Sequence, residues 1–316
     1  MKQVLIVDRV HPALAEGLRE RRFKCATDLT YTYETFAARA DDLLGLVIRS
    51  RFVVDRALLD TKPSLRFIVR IGSGVENIDV AYAESRGVRV ISTPEGNANA
   101  VGEHCLGLLL GLLRHIASAD REVRAGEWLR ERNKGTELQS HTYGLIGYGH
   151  TGPAFAHLLH TLGCEVYAYD RYNPAAGDEC AQMVTLEELC ERCDVISLHV
   201  NYLPENNHLI GDEFIAKMPH PFLLLNTSRG RVVDCAALVR GLHSGKVTAA
   251  ALDVLEYETP RLQNLPKTEW PEAMETLATM SNVILTPHVG GQTLDAELRH
   301  AQVAVESYPY SGNYFL

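Results

Sequence analysis

The 316-residue sequence has little of what marks several specialised classes of protein. Basic residues are outnumbered, because 31 lysines and arginines stand against 40 aspartates and glutamates and leave a net charge of −9. This deficit argues against general binding to nucleic acid or to an anionic membrane. Long apolar runs are also missing: the strongest covers 105–113, about half of a membrane span, and the run near the N-terminus is too short for a signal peptide.

Cysteines are few and do not suggest a disulfide framework. The seven are an odd number scattered along the chain, which favours a reducing compartment, and we expect a cytoplasmic protein. Cys190 and Cys193 form a C-x-x-C pair that closes a predicted helix instead of opening one, so we interpret both as inert thiols. The thirteen histidines include no H-x-x-x-H pair beside an acid in a helical segment, and we therefore predict no metal site.

The chain consists mainly of short β-branched or apolar runs that alternate with helical stretches. Such an alternation favours parallel strand pairing through right-handed crossovers. The strand candidates form two series, 3–8, 46–49, 65–71 and 88–91, and then 142–146, 165–169, 195–200, 222–226, 248–253 and 282–286. A long helix is predicted between the series, from about Asn99 to Glu122. Both series are therefore α/β, and six strands in the second predict a doubly wound parallel sheet.

A glycine-rich turn opens the second series. The pattern G-x-G-x-x-G occupies 147–152, between the apolar strand 143–146 and the amphipathic helix 153–162. In that context the first glycine permits a tight turn, the second lets the backbone approach a pyrophosphate, and the third lets helix and strand pack closely. Asp170 follows the next strand, where a carboxylate would bind the ribose hydroxyls and repel a 2′-phosphate. The pattern predicts a dinucleotide site that prefers NAD.

Three chemically active side chains follow later strands of the same series. Arg229, Glu258 and His288 each lie just after a strand candidate. The carboxyl ends of parallel strands meet at one edge of the sheet, where open α/β sheets bind their ligands. A guanidinium, a carboxylate and an imidazole at successive strand ends therefore indicate a catalytic site beside the dinucleotide.

A set of short motifs runs through nearly the whole chain. They are RSR at 49–51, RIGSGVENID at 70–79, AVGEH at 100–104, GEW at 126–128, GLIGYGHTG at 144–152, NTSRG at 226–230 with VVD after it, LDV at 252–254 and TPHVGG at 286–291. In this order and spacing they resemble the D-isomer-specific 2-hydroxyacid dehydrogenases. Within that family, RSR and the glycine turn are most similar to the enzymes that oxidise 3-phosphoglycerate, in a short form without a regulatory domain.

The resemblance implies two α/β domains with parallel, doubly wound sheets. A flavodoxin-like substrate domain would span 1–97 and be completed by 289–316, while a Rossmann NAD-binding domain would span 98–288. It also implies a homodimer formed through the NAD-binding domain, with the long helix after Asn99 at the contact.

The resemblance further implies the catalytic roles. Arg229 would hold the substrate's carboxylate and carbonyl through a bidentate contact, and His288 would be the general acid/base. Glu258 would hydrogen-bond the imidazole, fix its tautomer and stabilise its cation. Glu256 competes for that role, but the family motif places its acid five residues after Asp253, which favours Glu258.

The remaining site residues are also implied by the resemblance. The cofactor would contact Gly147, Gly149, His150, Thr151, Gly152, Asp170, His199, Thr227, Ser228, Asp253, Gly290 and Gly291. Among these, Asp253 would meet the nicotinamide carboxamide. The substrate would contact Arg49, Ser50, Arg51, Ser73 and Gly74, and the last two would bind its carboxylate through their backbone.

The favoured activity is NAD-dependent hydride transfer with a D-2-hydroxy acid, but its substrate stays open. Arg49 and Arg51 supply two cations, more than a small uncharged side chain requires, which favours 3-phosphoglycerate. Alternatively, Arg49 serves any 2-hydroxy acid and Arg51 is solvated, which leaves glycerate or hydroxypyruvate, glyoxylate and lactate. An alternative of another class is a non-catalytic NAD(H) sensor such as the C-terminal-binding corepressors, which share the fold and the Arg-Glu-His set. In every case a small molecule is the expected ligand, without nucleic acid or membrane partners.

Overall fold

The computed structural model describes residues 3–39, 42–258 and 266–307. These residues divide into two compact units: the first comprises 3–39, 42–97 and 292–307, and the second 98–258 and 266–291. The second unit begins at the predicted boundary and ends three residues beyond the predicted 288. The part of the predicted completing segment that follows 307 lies outside the described residues.

The first unit is built on a five-stranded parallel sheet. Its elements in chain order are β1 Gln3–Ile6, α1 Pro12–Glu20, β2 Lys24–Thr27, α2 Tyr33–Ala37, β3 Leu43–Ile48, α3 Arg56–Asp60, β4 Phe67–Arg70, α4 Val80–Ser85 and β5 Arg89–Ile91. The strand order is β2-β1-β3-β4-β5, which is the flavodoxin-like order. The central strands are apolar on both faces, as a sheet covered by helices on two sides requires.

The second unit is built on a seven-stranded parallel sheet. Its elements are α5 Ala98–Leu113, α6 Ile116–Arg124, β6 Thr142–Ile146, α7 Thr151–Thr161, β7 Glu165–Tyr169, β8 Gln182–Met183, α8 Leu186–Arg192, β9 Val195–Leu198, α9 Asp212–Lys217, β10 Phe222–Asn226, α10 Cys235–His243, β11 Val247–Leu252, α11 Glu272–Thr279 and β12 Val283–Leu285. The order β12-β11-β10-β9-β6-β7-β8 is that of a Rossmann sheet with a seventh strand added beside β11.

The predicted long helix over 99–122 is wrong, because the structure has two helices there. Helix α5 ends at Leu113 and α6 begins at Ile116, with a bend of 60° between their axes. The break falls at His115, whose φ of 53° is left-handed. Half of the residues of α5 are buried, whereas α6 buries none, so the chain leaves the core where the apolar sequence stops. Within the described ranges no single helix is long and apolar enough to cross a membrane, and this bent pair meets the length and composition only when joined.

Helix α12 Leu294–Glu306, the last helix of the described residues, belongs to the first unit. Thr293 caps its N-terminus by accepting a hydrogen bond from Ala296 N. Ala301 and Ala304 of α12 join the apolar core that contains Leu14 of α1. The first unit is therefore discontinuous in sequence, as the resemblance implies, and α12 shares an apolar core with α1.

Candidate active site

The predicted site residues of the second unit meet at one edge of its sheet. All pairs of neighbouring strands are parallel, so the segments that follow the strands emerge on the same side. The glycine turn follows β6, Asp170 follows β7, His199 follows β9, Arg229 follows β10, Asp253 to Glu258 follow β11, and His288 follows β12. The site thus runs along the sheet edge on both sides of the glycine turn.

The glycine turn has the geometry that a diphosphate requires. Gly147 has a φ of 98°, and a Cβ there would lie 2.5 Å from the carbonyl oxygen of His199. A Cβ at Gly152 would overlap the carbonyl oxygen of Gly147, so helix α7 approaches the strand closely. In contrast, a Cβ at Gly149 would meet no atom within 4 Å, which leaves open space above the backbone of the turn. Gly147 and Gly152 thus lie where a side chain would clash, and the predicted approach of a pyrophosphate to Gly149 stays a prediction.

The N-terminus of α7 is available to an anion. His150 occupies the N-cap position, and its side chain makes no capping hydrogen bond to the helix. The first N–H groups of α7 and the positive end of its dipole can then bind a diphosphate, in the open space beside Gly149. These residues fit NAD, which would lie with its phosphates on α7.

Asp170 is held by the backbone around the predicted ribose site. Its Oδ2 accepts a hydrogen bond of 2.8 Å from Tyr148 N in the glycine turn. Its Oδ1 accepts from Tyr172 N and Asn173 N, both at 2.9 Å. Because each carboxylate oxygen has two lone pairs, Oδ2 retains acceptor capacity for a ribose hydroxyl. The carboxylate is thereby fixed in position beside the turn.

His199 has a neutral side chain that supports the glycine turn. Burial lowers the pKa of its imidazole to about 3. Its Nδ1 lies 3.1 Å from Thr151 Oγ1 and its Nε2 lies 2.9 Å from Ser197 Oγ. The ring is thus bonded to two hydroxyls, one of them on the first residue of α7, and it positions the helix start as well as lining the predicted cofactor site.

The structure brings His288 and Glu258 into direct contact. His288 Nδ1 donates to Glu258 Oε2 at 2.7 Å, and Glu258 Oε1 accepts from Leu255 N at 2.7 Å. Both side chains are partly exposed, at 29% and 25%. His288 has a φ of 54°, a strained conformation for a non-glycine residue of the kind found at functional sites. The contact commits Nδ1 to the carboxylate and leaves Nε2 to exchange a proton with a ligand.

Glu256, the competitor for that role, has another partner. Its Oε1 accepts from His208 Nε2 at 2.6 Å, and its Oε2 accepts from Cys235 N at the start of α10 at 3.1 Å. His208 also has a left-handed φ, of 53°. Each of the two glutamates of this short segment therefore pairs with a histidine, and only Glu258 pairs with His288.

Arg229 lies in a turn that buried polar side chains build. Asn226, fully buried at the end of β10, donates from Nδ2 to the carbonyl of Arg229 and accepts from Ser228 N and Ser228 Oγ. Gly230 follows, where a Cβ would overlap the carbonyl of Leu255, so the Arg229 turn packs directly on the segment that holds Glu258. Ser228, predicted to line the cofactor, is 6% exposed and serves this turn.

Asp253 organises the loop that carries His288, a function that the sequence analysis missed. Its carboxylate accepts from Thr286 Oγ1 at 2.5 Å, Val289 N at 2.9 Å and Gly290 N at 2.8 Å, and its backbone carbonyl accepts from His288 N at 2.7 Å. Burial would raise the pKa of Asp253, but hydrogen bonds from His104, Thr286, Val289 and Gly290 outweigh it and hold the pKa well below its usual range. The predicted contact with the carboxamide stays a prediction.

His104 and Thr227 tie helix α5 to this edge of the sheet. His104 Nε2 lies 3.1 Å from Thr286 Oγ1 and 3.3 Å from Asp253 Oδ1. Thr227 Oγ1 lies 3.1 Å from the buried Sγ of Cys105, and burial raises the pKa of that thiol to about 12. The AVGEH motif thus contains a supporting histidine that its sequence alone did not identify. Across the described residues, no group of three or more His, Cys, Asp or Glu is arranged to hold a metal ion.

In the first unit, Asp8 orders the RSR segment. Its Oδ2 accepts from Arg49 N at 2.6 Å, Ser50 N at 3.2 Å and Arg51 N at 3.3 Å. The guanidinium of Arg51 lies 3.3 Å from Asp8 Oδ1 and donates to Leu29 O at 2.6 Å. The Arg51 side chain is thus held by a carboxylate and a carbonyl instead of being freely solvated, and its contact with a substrate phosphate stays a prediction.

Ser73 and Gly74 lie in a loop after β4 that starts at Gly72. Gly74 is buried and Ser73 is half-buried. Around this loop the structure adds to Arg49 two basic residues that sequence reasoning missed, Arg70 and Arg299. The charges of Arg49, Arg70 and Arg299 act together on one buried imidazole, that of His300. Arg70 comes from the RIGSGVENID motif, but its proximity to α12 depends on the fold.

Comparisons with known proteins agree with this geometry. Residues 106–290 match the model of the D-isomer specific 2-hydroxyacid dehydrogenase, NAD binding domain. The chain is 35% identical to a D-3-phosphoglycerate dehydrogenase of Methanocaldococcus jannaschii over 97% of this chain and 56% of that protein. It is 38% identical to a hydroxypyruvate reductase of Thermotoga maritima over 80% of each chain. A glyoxylate reductase from Paecilomyes thermophila has the same fold, with a TM-score of 0.84, 27% identity and coverage of 96% and 93% of the two chains.

These findings confirm the predicted fold class and the predicted NAD cofactor. The chain spans little more than half the length of the phosphoglycerate dehydrogenase it matches. The family model alone covers more than half of the chain, and the relatives named above match most of the rest. The chain belongs to the D-isomer-specific 2-hydroxyacid dehydrogenase family.

Proposed function

We propose that the protein transfers a hydride between NAD and a D-2-hydroxy acid or its 2-keto acid. The observation that carries the proposal is the 2.7 Å contact between His288 Nδ1 and Glu258 Oε2 at the edge of a sheet whose glycine turn accepts NAD. A histidine with one nitrogen bonded to a carboxylate presents the other as a general acid or base. The family of the chain supports this chemistry.

The residues of the second unit divide the work of the reaction. The bound cofactor would supply a hydride to the substrate's C2 as NADH or accept one from it as NAD⁺. In the reducing direction His288 Nε2 gives its proton to the carbonyl oxygen. Glu258 stabilises the imidazolium before this proton transfer, and after it Glu258 keeps the remaining proton of the neutral ring on Nδ1. Arg229 binds the substrate's carboxylate by charge-assisted hydrogen bonds and polarises the carbonyl. In the oxidising direction His288 Nε2 takes the proton of the hydroxyl.

We further propose that the substrate has a second anionic group and that it is 3-phosphoglycerate or its keto form. Arg49, Arg70 and Arg299 of the first unit support this, because all three lie near enough to His300 to lower the pKa of its imidazole. The Ser73–Gly74 backbone would take the carboxylate, and Arg49 with Arg70 would take the phosphate. Glyoxylate, hydroxypyruvate and pyruvate, which need fewer cations, are the alternatives that the experiment separates.

The proposed activity is tested by NADH fluorescence with four 2-keto acids: 3-phosphohydroxypyruvate, hydroxypyruvate, glyoxylate and pyruvate. We expect turnover, with the largest kcat/KM for the phosphorylated substrate. The variant His288→Ala is expected to lose roughly 10²-fold or more in kcat. His208→Ala is the matched control, because His208 has the same backbone conformation and a carboxylate partner on the same segment.

Each result has a distinct meaning. If NADH binds but none of the four keto acids is reduced, the proposed hydride-transfer activity is contradicted and the NAD(H)-sensing alternative is favoured. Equal rates for His288→Ala and His208→Ala contradict the role of His288. A larger kcat/KM for glyoxylate or pyruvate than for the phosphorylated acid contradicts the dianionic substrate and leaves the hydride transfer intact.

We also propose a homodimer formed through the second unit. Helix α6 and the segment after it expose large apolar side chains: Ile116 at 56%, Val123 at 51% and Trp128 at 75%. A second copy of the chain would cover these groups. Sedimentation is expected to give twice the mass of one chain, and a monomer at micromolar concentration contradicts the proposal.

A further inference from the structure

A buried hydrogen-bonded chain links helix α12 to the loop that contains Ser73 and Gly74. Thr93 is fully buried, and its Oγ1 accepts from Gly72 N at 2.9 Å. A second hydrogen bond joins the same two residues, because Thr93 N donates to Gly72 O at 3.0 Å. On its other side, Thr93 Oγ1 lies 2.8 Å from His300 Nδ1, although the two residues are 207 positions apart in sequence.

His300 is neutral near pH 7. Burial lowers its pKa to about 4; a hydrogen bond with the backbone of Thr93 opposes the shift, and the charges of Arg49, Arg70 and Arg299 add to it. A neutral imidazole carries one N–H and one nitrogen lone pair, so Nδ1 hydrogen-bonds the Thr93 hydroxyl as acceptor or as donor according to the tautomer. In either tautomer the hydroxyl keeps a lone pair for Gly72 N.

Two glycines allow the close contacts that hold this hydrogen-bonded series in place. Gly72 has a φ of 130°, a conformation that favours glycine, and the guanidinium of Arg70 lies over it where a Cβ would be. A Cβ at Gly96 would overlap the ring of His300, so glycine at that position admits the imidazole. Arg299 then donates to Gly96 O at 3.3 Å. The helix is thus placed so that its histidine reaches the hydroxyl of Thr93.

We propose that Thr93 and His300 are positioning residues for substrate binding. They fix the amide of Gly72, and with it the Ser73–Gly74 backbone that receives the substrate's carboxylate, so that the C-terminal helix controls affinity for the 2-keto acid. The inference rests on the proposed function, because that function assigns the carboxylate to this loop. Neither residue belongs to the proton-transfer pair of His288 and Glu258, so both act through the loop.

A purely structural function for the pair makes a different prediction. A buried polar pair adds little net stability compared with apolar groups of the same shape, so packing alone does not explain it. If the pair only held the fold together, a substitution would lower stability and leave the KM of the folded fraction unchanged. If it positions the loop, the KM for the keto acid rises while kcat and the KM for NADH stay near their wild-type values.

The test compares Thr93→Val with Thr93→Ser in the full-length protein. Valine keeps the shape and removes the hydroxyl, whereas serine keeps it. We expect Thr93→Val to raise the KM for the preferred keto acid about tenfold, equivalent to about 1.4 kcal/mol, with kcat and the KM for NADH within about twofold. Thr93→Ser is expected to stay near wild type. Thr61→Val is the control, since the Thr61 hydroxyl bonds only Leu58 O on a helix of the same unit.

A second pair of variants tests His300, so that the inference can still be checked if a Thr93 variant does not fold. His300→Phe keeps a ring without Nδ1, whereas His300→Asn places an amide oxygen near the position of Nδ1 and can accept from Thr93. The phenylalanine variant is expected to raise the KM and the asparagine variant to restore it. An unchanged KM in both Thr93→Val and His300→Phe, or equal KM values for Phe and Asn, overturns the inference. A wild-type protein without turnover refutes the proposed function instead, so the two failures are distinguishable.

Discussion

Replacing Asp253 by asparagine tests how the loop with His288 is held. The carboxylate of Asp253 is an acceptor for the donors around it: the imidazole of His104, the hydroxyl of Thr286 and the backbone N–H groups of Val289 and Gly290. An asparagine side chain has one acceptor atom and one donor atom. With its oxygen toward Thr286 and Val289, its NH₂ group faces Gly290 N–H, and two donors meet in a site where only 1% of the residue is exposed.

The cost follows from that mismatch. Leaving a buried donor unsatisfied costs about 1–3 kcal/mol, so we expect Asp253→Asn to lower the free energy of unfolding by about that amount. Because His288 N also bonds the backbone of this residue, the imidazole shifts with the loop. A displacement of this kind lowers kcat, and we expect a loss of roughly 10- to 100-fold with the NADH affinity less affected.

The pH dependence provides a second measure of the same contact. Burial opposes ionisation of Asp253, but the hydrogen bonds outweigh it and lower its pKa relative to the unfolded chain. The stabilisation is therefore complete above the pKa of about 4 of an unfolded aspartate, and it is lost as the pH falls toward the folded value. Below roughly pH 5, and most clearly below the unfolded pKa of about 4, the wild type should lose stability more steeply than Asp253→Asn.

The assay is urea unfolding followed by circular dichroism at several pH values, alongside steady-state kinetics at neutral pH. Asp212→Asn is the control, because Asp212 forms an exposed ion pair with Arg240 in the same unit and supports no loop of the site. We expect the control to keep the wild-type kcat. Wild-type stability for Asp253→Asn, or an acid slope equal to that of the wild type, refutes the reasoning.

Three further predictions concern the cofactor and the proton. Gly149→Ala is expected to fold normally but to weaken NADH binding by tenfold or more in a fluorescence titration, whereas Gly147→Ala should lower stability by about 1–3 kcal/mol because of its φ and the nearby His199 carbonyl. Asp170→Ala should raise the ratio of kcat/KM for NADPH to that for NADH, and an unchanged ratio contradicts the ribose contact. Glu258→Gln should lower kcat by roughly 10²-fold, with equal rates contradicting its pairing with His288.

Sequence patterning located the strands of the second unit well and missed short edge strands. The segments β6, β7 and β10 agree residue by residue with the predicted 142–146, 165–169 and 222–226, because buried parallel strands are continuous apolar runs. Strands β2 and β8 carry no such signal. The residues of β2 are exposed or half-buried, and β8 has only two residues, so their pairing depends on the neighbouring strand and not on their own composition.

The site was predictable where the fold places strand ends together and unpredictable where distant side chains meet. The strand-end argument selected Glu258 and His288, which the structure joins. No local pattern indicated the ion pair of Arg51 with Asp8, since Asp8 lies more than 40 residues earlier. No local pattern connects Thr93 with His300, because their contact exists only once α12 has packed in the first unit.

Three acids within six residues explain why the segment after β11 is the structural centre of the site. Asp253 bonds the loop with His288, Glu256 bonds His208 and the start of α10, and Glu258 bonds His288 itself. Their partners come from three different parts of the unit, so the segment is held from three sides and has little freedom to relax. Glu256→Ala should therefore lower kcat in the steady-state assay without any contact to the reacting atoms, because it also removes the bond to Cys235 N that His208→Ala leaves in place, and so releases the segment that carries the Glu258 carboxylate.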